Sequence, residues 1–204
     1  MIDKNIEITK VLKFSKETLN KQNISHNDYV FHSAYNCNNK ILILTNFKTK
    51  NIQDYINIAY RKGIKGLILD KRIPSKILPK NLPIIFSNYL SANLNEFLSQ
   101  IFTYPLKRKK IIGVTGTDGK TSLTHMLAQA YTLTGKKVGI ISSEGNGIYP
   151  NLKKSGYTTP RSDIIYNYFH KFDKESVNII IIESSSQGLA QGRLNNINFD
   201  ISIV

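Results

Sequence analysis

Cysteine occurs once in the 204 residues, at Cys37. This excludes an internal disulfide framework and a cysteine-built metal cluster. No apolar run approaches the roughly 18 residues needed to cross a bilayer. The opening stretch, MIDKNIEITK, has none of the long apolar character of a secretory signal, so the expectation is a cytoplasmic protein with no membrane partner. Internal repeats and low-complexity segments are also missing. Acidic residues are scarce, with 14 Asp and Glu against 28 Lys and Arg, for a formal charge of +14. Such an excess suits either a nucleic-acid surface or a protein that handles anionic substrates. The lysines are scattered, and PLKRKK at 105–110 is the one dense basic run. That scatter favours a chain generally rich in Lys, Asn and Ile over a nucleic-acid patch.

What is present is an alternation of short apolar runs and helical patterns, in a length that allows one large or two small domains. ILILT (41–45) reads as a compact strand. Ile52, Tyr55, Ile56 and Ala59 follow at helical spacing, and Gly63 stops the helix. GLILD (66–70) and PIIFS (83–87) read as further strands, separated by a loop containing Pro74 and Pro79. Leu90, Leu94, Phe97, Leu98 and Ile101 mark another helix face, closed by Pro105. Together these give a small N-terminal α/β domain over 1–105, with PLKRKK as a surface linker.

From 106 to 204 the rhythm restarts. Strand IIGVT leads through a turn to a helix over 120–134, then to strand VGIIS. A helix over roughly 161–173 precedes VNIIII (177–182), a turn and FDISIV (199–204). Apolar strands alternating with helices imply a mostly parallel sheet covered by helices on both faces. The last strand reaches the final residue, so a second domain that is partial is expected.

The turn in that domain, GVTGTDGKTSLTH (113–125), carries the chemistry. Gly113, Gly116 and Gly119 permit tight turns and let backbone amides approach an anion. The helix that follows directs its positive end to the same place. Lys120 is suited to neutralising a β/γ-phosphate, and the Thr121 hydroxyl is suited to magnesium. The common GxxxxGK[ST] spacing would put glycine at 114, where Val114 stands, so the match is to the variant G-x-x-G-x-x-G-K-T.

At this variant the sequence resembles the Mur ligase family, ATP-dependent amide-forming enzymes of peptidoglycan precursor synthesis with the signature TGT-N-GKT. GKKVGIISSEGNGI (135–148), TTP (158–160) and ESSSQGLAQGR (183–193) narrow the resemblance to the MurE type. That type adds an amino acid to UDP-N-acetylmuramoyl-L-alanyl-D-glutamate through an acyl phosphate. The resemblance implies ATP contacts at Gly116, Thr117, Asp118, Gly119, Lys120, Thr121 and Ser122. It implies catalytic roles for Lys120 and Glu183, with Mg2+ held by Thr121 and Glu183. Glu183 also stands at the end of an apolar strand, where ligands of α/β sheets gather. Thr158, Thr159, Ser185, Gln191 and Arg193 match contacts to the UDP-N-acetylmuramoyl-dipeptide substrate.

Four positions depart from the family pattern. Asp118 replaces the usual Asn, placing a carboxylate beside phosphates, which predicts lower or more metal-dependent nucleotide affinity. Gln187 stands where histidine is common. The uridine-binding Asp-Ser-Arg becomes His32, Ser33 and Ala34, retaining Ser33. Lys48, Thr49 and Lys50 fall where the family places a loop near the substrate. The family's central domain also continues to a metal-binding histidine and a carbamylated lysine, followed by a C-terminal domain. The expectation is therefore an incomplete ligase chain that is not active alone, or one completed by a second chain. The alternative is a non-catalytic nucleotide-binding module or remnant of such a ligase. Folylpolyglutamate and cyanophycin synthetases share the phosphate loop but fit TTP and ESSSQGLAQGR less well.

Overall fold

The computed structural model describes residues 4–47, 51–102 and 109–204. Packing divides the chain into two units, one up to Phe97 and the other from Leu98. Both are α/β, as the alternation of elements predicts.

The first unit opens with α1 (Lys4–Leu19) and a two-residue strand β1 (Tyr29–Val30). Then come β2 (Ile41–Leu44), α2 (Ile52–Arg61), β3 (Gly66–Leu69) and β4 (Ile84–Phe86), followed by α3 (Tyr89–Phe102), which crosses the division. The sheet runs β1-β2-β3-β4 with every neighbouring pair parallel. β2 and β3 are buried along their whole length, which is why ILIL and GLIL show no polar alternation. α2 buries Ile52, Ile56 and Ala59, the predicted face. Neither α1 nor β1 is evident in the sequence. α1 is largely polar, and it docks through Ile8, Val11 and Ser15, all buried. The Tyr29 hydroxyl donates to Ser15 Oγ at 2.9 Å, which in turn donates to the Val11 carbonyl at 2.8 Å.

The second unit contains β5 (Lys110–Val114), α4 (Lys120–Leu133), β6 (Val138–Ile141), β7 (Asn146–Ile148) and β8 (Asn151–Lys153). It continues with α5 (Ser162–Lys174), β9 (Ile179–Glu183), α6 (Ser186–Ala190) and β10 (Ile201–Ile203). The sheet order is β10-β5-β9-β6-β7-β8. The first four strands are mutually parallel, and β7 and β8 add an antiparallel hairpin. Successive strand residues face opposite sides. Ile111, Ile180 and Ile182 pack with Ile165, Phe169 and Phe172, three of them from α5. Ile112, Val114, Ile179 and Ile181 pack with Ala128 and, more peripherally, Leu123 and Leu127 of α4. The sheet is therefore covered on both faces, as predicted. The β7–β8 hairpin and α6 were not predicted. β10 is an edge strand among the described residues, and its Ile201 is exposed.

Residues 105–108 of PLKRKK, like Lys48, Thr49 and Lys50, lie outside the described residues. The end of that run corrects the linker expectation. Lys110 begins β5 and is exposed, while the Lys109 side chain is largely covered, with its ammonium 3.1 Å from Asp173 and donating to the Val177 carbonyl at 3.1 Å. A lysine side chain this covered needs such partners, so the end of the basic run is tied to the second unit through Lys109.

Candidate functional site: the phosphate loop and its facing carboxylate

The site lies at the carboxyl ends of the parallel strands. β5 ends at Val114, and α4 starts at Lys120 with Gly119 as its N-cap in the left-handed region, at φ +73°. Gly116 has φ +127°, a conformation in which a side chain would be strained. Gly116 through Gly119 are exposed, and a Cβ placed on Gly119 would meet nothing within 4 Å. The bend is therefore open, and the unpaired amides of the first turn of α4 face accessible space. A cleft of ≈ 860 Å³ adjoins it, lined by Val114 to Lys120 with Leu123, Ser185, Ser186 and Val204. The Lys120 ammonium lies over its own loop, donating to the carbonyls of Gly116 at 2.8 Å and Thr117 at 2.7 Å. Asp118 and Ser122 are exposed beside it.

Glu183 is the last residue of β9 and lies directly across the ladder from Val114. It is 2% exposed. Thr121 Oγ1 donates to its Oε1 at 2.9 Å. The backbone N–H of Ser143 donates to Oε2 at 3.0 Å, and the Ser143 hydroxyl donates to the same oxygen at 3.1 Å. The two hydroxyl oxygens are themselves 2.9 Å apart. When both hydroxyls donate to the carboxylate, no proton is left between them, so their lone pairs face one another.

These three side chains form a compact set of hard oxygen donors, the type that Mg2+ selects. Oxygens bound at about 2.1 Å in an octahedron stand about 3 Å apart, and the observed spacings are 2.9 and 3.1 Å. Among the described residues there is no cluster of three His, Cys, Asp or Glu that could hold a metal. A cation here would take one carboxylate and leave most of its coordination to phosphate or water.

Ser143 was not singled out from the sequence. It sits on a turn whose geometry is fixed by two fully buried residues, Ser142 and Asn146. Ser142 N–H donates to Asn146 Oδ1 at 3.2 Å, and the Ser142 hydroxyl donates to the Gly145 carbonyl at 3.1 Å. The signal available was GNG (145–147), with three residues between it and an apolar strand, which marks a tight turn without naming the residue that uses it.

The substrate candidates divide. Ser185 lines the cleft and caps α6, its hydroxyl accepting from Gly188 N–H at 3.1 Å. Thr158 is half-buried, and Gln191 is exposed. Arg193 donates to Gln191 Oε1 at 3.0 and 2.7 Å and to the Thr159 carbonyl. Thr159 is buried, with its hydroxyl turned into the protein toward Glu183 and Ser185. Gln187 is exposed on α6. Ser33 belongs to the first unit and is buried. There the loop His32–Ala34 is gripped by the Lys62 ammonium, which donates to the carbonyls of Ser33 at 2.7 Å and Ala34 at 3.1 Å.

Residues 114–204 match the family described as the Mur ligase middle domain. The chain is similar to the UDP-N-acetylmuramoyl-L-alanyl-D-glutamate–2,6-diaminopimelate ligase of Wigglesworthia glossinidia brevipalpis, 32% identical over 198 residues, covering 95% of this chain and 37% of that protein. It is likewise similar to the protein of the same name from Buchnera aphidicola subsp. Schizaphis graminum (strain Sg), 31% identical over 202 residues, covering 97% of this chain and 38% of that one. The similarity thus runs through the first hundred residues as well. A solved structure of a ligase of that name shares the fold, with a TM-score of 0.67 at 24% identity over 85% of this chain and 35% of that one. The chain spans 37% and 38% of the length of these two relatives. Among the described residues no helix is long and apolar enough to cross a membrane.

Proposed function

From the match of residues 114–204 to the Mur ligase middle domain we propose that this chain supplies the nucleotide-binding and acid-binding part of an ATP-dependent amide-forming ligase. The acid is a UDP-N-acetylmuramoyl dipeptide. The named relatives join 2,6-diaminopimelate to it, and this choice of amino acid is carried over as part of the proposal.

In this reading the β- and γ-phosphates of ATP rest on the amides of Gly116–Thr121 at the amino end of α4. Lys120, already held over the loop by two carbonyls, balances their charge. Thr121 and Glu183 hold Mg2+, with Ser143 in the same oxygen set. Bound there, the cation would draw charge from the phosphate oxygens as an acyl phosphate forms. Gln191 and Arg193, with Thr158, present donors to the incoming carboxylate and diphosphate, and Ser185 lines the cleft beside them. Ser33 and the Lys48–Lys50 stretch are proposed for the UDP end of the substrate.

The observation that carries the reading is the buried Glu183 carboxylate held by Thr121 and Ser143 across from an open phosphate loop. Calorimetry tests it. ATP with Mg2+ should bind the purified chain saturably, and Lys120→Ala should weaken binding by about tenfold or more, as expected for loss of a charged hydrogen-bond donor. Equal heats for the two proteins would defeat the proposal. The span of 37% of a relative keeps a second reading in view, a module that holds nucleotide without turnover. Release of ADP and phosphate that depends on added muramoyl dipeptide would exclude it.

A further inference from the structure

We propose that Thr159 is a positioning residue. Its buried hydroxyl fixes the bend between β9 and α6, and through that bend the aim of Glu183 and Ser185 into the phosphate cleft. This rests on reading the cleft as a magnesium–nucleotide site.

The hydrogen bonds form a complete relay. Thr159 Oγ1 donates to the Glu183 carbonyl at 2.8 Å and accepts from the Ser185 N–H at 2.8 Å. With its proton on Glu183, it also accepts the Ser185 hydroxyl proton at 3.0 Å. Ser185 Oγ is then left with a lone pair for Gly188 N–H. At the end of β9 the chain leaves the sheet, and its last ladder bond is Ser184 N–H to the Val114 carbonyl at 2.7 Å. The carbonyl of residue 183 and the amide of residue 185 would lack partners at that exit, and one hydroxyl serves both. A buried backbone group left unpaired costs about 1–3 kcal/mol, so the bend depends on this oxygen.

Thr159 is 1% exposed. Packing closes the rest of its surface: a Cβ on Gly188 would lie 2.7 Å from Thr159 Cβ. Only glycine at 188 lets α6 approach this closely. The Thr159 carbonyl accepts from Arg193, so the residue is engaged at both polar ends. The hydroxyl therefore acts through its neighbours. On one side of the bend the Glu183 carboxylate meets Thr121, and on the other Ser185 lines the cleft.

Calorimetry of ATP binding with and without Mg2+ tests this on the intact 204-residue chain. Thr159→Val keeps the shape and removes the hydroxyl. The gain in ATP affinity that Mg2+ confers should fall by about tenfold, while metal-free affinity stays within about twofold. Thr159→Ser, which restores the oxygen, should return the metal gain to within about threefold of the unsubstituted chain. A general loosening of the fold would lower both affinities together and would not be rescued by serine. That result, or a full metal gain in Thr159→Val, overturns the proposal. Should Thr159→Val not fold, as read by thermal melting, Thr159→Ser against Thr159→Cys makes the same comparison, and equal metal gains overturn it. A metal gain lost in Glu183→Gln but intact in Thr159→Val defeats this inference alone. No metal-dependent binding by the unsubstituted chain defeats the nucleotide reading and this inference with it.

Discussion

Each unit ends one of its buried parallel strands on an acid, and the two acids are used differently. In the first unit Asp70 follows β3 and accepts the backbone N–H of Asn46. In the second, Glu183 ends β9 and accepts the hydroxyls of Thr121 and Ser143 together with one amide. Both acids are largely buried, at 7% and 2% exposure. The sheets are alike in direction and in burying their central strands. The difference is therefore in the partners. An amide can only donate, so Asp70 is a clamp. A hydroxyl also accepts, and its oxygen can turn toward a cation that replaces its proton as the link to the carboxylate. Glu183 thus has partners that would still serve a bound cation in the proposed reading, beside an open loop of backbone amides. What stands at the strand end, rather than the shared fold, separates the two acids.

The largest expected effect separates the two acids. Glu183→Gln should reduce Mg2+-dependent ATP affinity by about thirtyfold or more, since it removes the carboxylate charge of the Thr121–Ser143–Glu183 oxygen set. Asp70→Ala should leave that affinity unchanged and lower stability by about 1–3 kcal/mol through the unpaired Asn46 amide, read by urea unfolding. Reversal of this pattern would break the comparison. Ser143→Ala comes next. Its amide still holds Glu183, so metal-dependent affinity should fall by only about three- to tenfold; an effect as large as that of Glu183→Gln would make Ser143 the principal partner. Asp118→Asn should raise ATP affinity by about threefold, most clearly at low Mg2+, because it removes a carboxylate beside the phosphates. Unchanged or weaker binding would show that Asp118 does not face them.

The smallest effect lies in the first unit. Burial pushes the Asp28 carboxyl up, but hydrogen bonds from Lys21 and Ser25 and the Lys21 charge outweigh it, leaving the group below its ordinary value. A depressed carboxylate stabilises the fold above its unfolded pKa, and that stability is lost as pH falls through the folded value. Lys21→Ala should therefore cost about 0.5 kcal/mol at neutral pH, and the difference from the unsubstituted chain should vanish in acid. A difference that persists in acid would mean that Lys21 acts through packing.

The sequence makes legible whatever is set by neighbours along the chain. Gly116, Gly119, Lys120 and Thr121 lie within one strand–turn–helix unit, so their spacing already implies the open bend. Glu183 could be placed because IIIIE is a buried strand ending in an acid. Ser143 and Thr159 were less legible, because the groups they bond to are 22 to 40 residues away in the chain. Nothing in TTP tells whether its second hydroxyl faces a ligand or the protein; the approach permitted by Gly188 decides it. α1 is hard to read for a related reason. Its sequence, KNIEITKVLKFSKETL, carries few apolar residues, and its docking face becomes visible only with a sheet to cover.

The central claim is that the oxygens of Thr121, Ser143 and Glu183 seat a divalent cation beside bound nucleotide. Electron paramagnetic resonance of Mn2+ with ATP and the purified chain measures this most directly, since the spectrum reports the ligands around the metal. The account predicts a spectrum distinct from that of Mn2+–ATP in solution, reverting to the solution form in Glu183→Gln. A spectrum that is the same with the unsubstituted chain and with Glu183→Gln would contradict it.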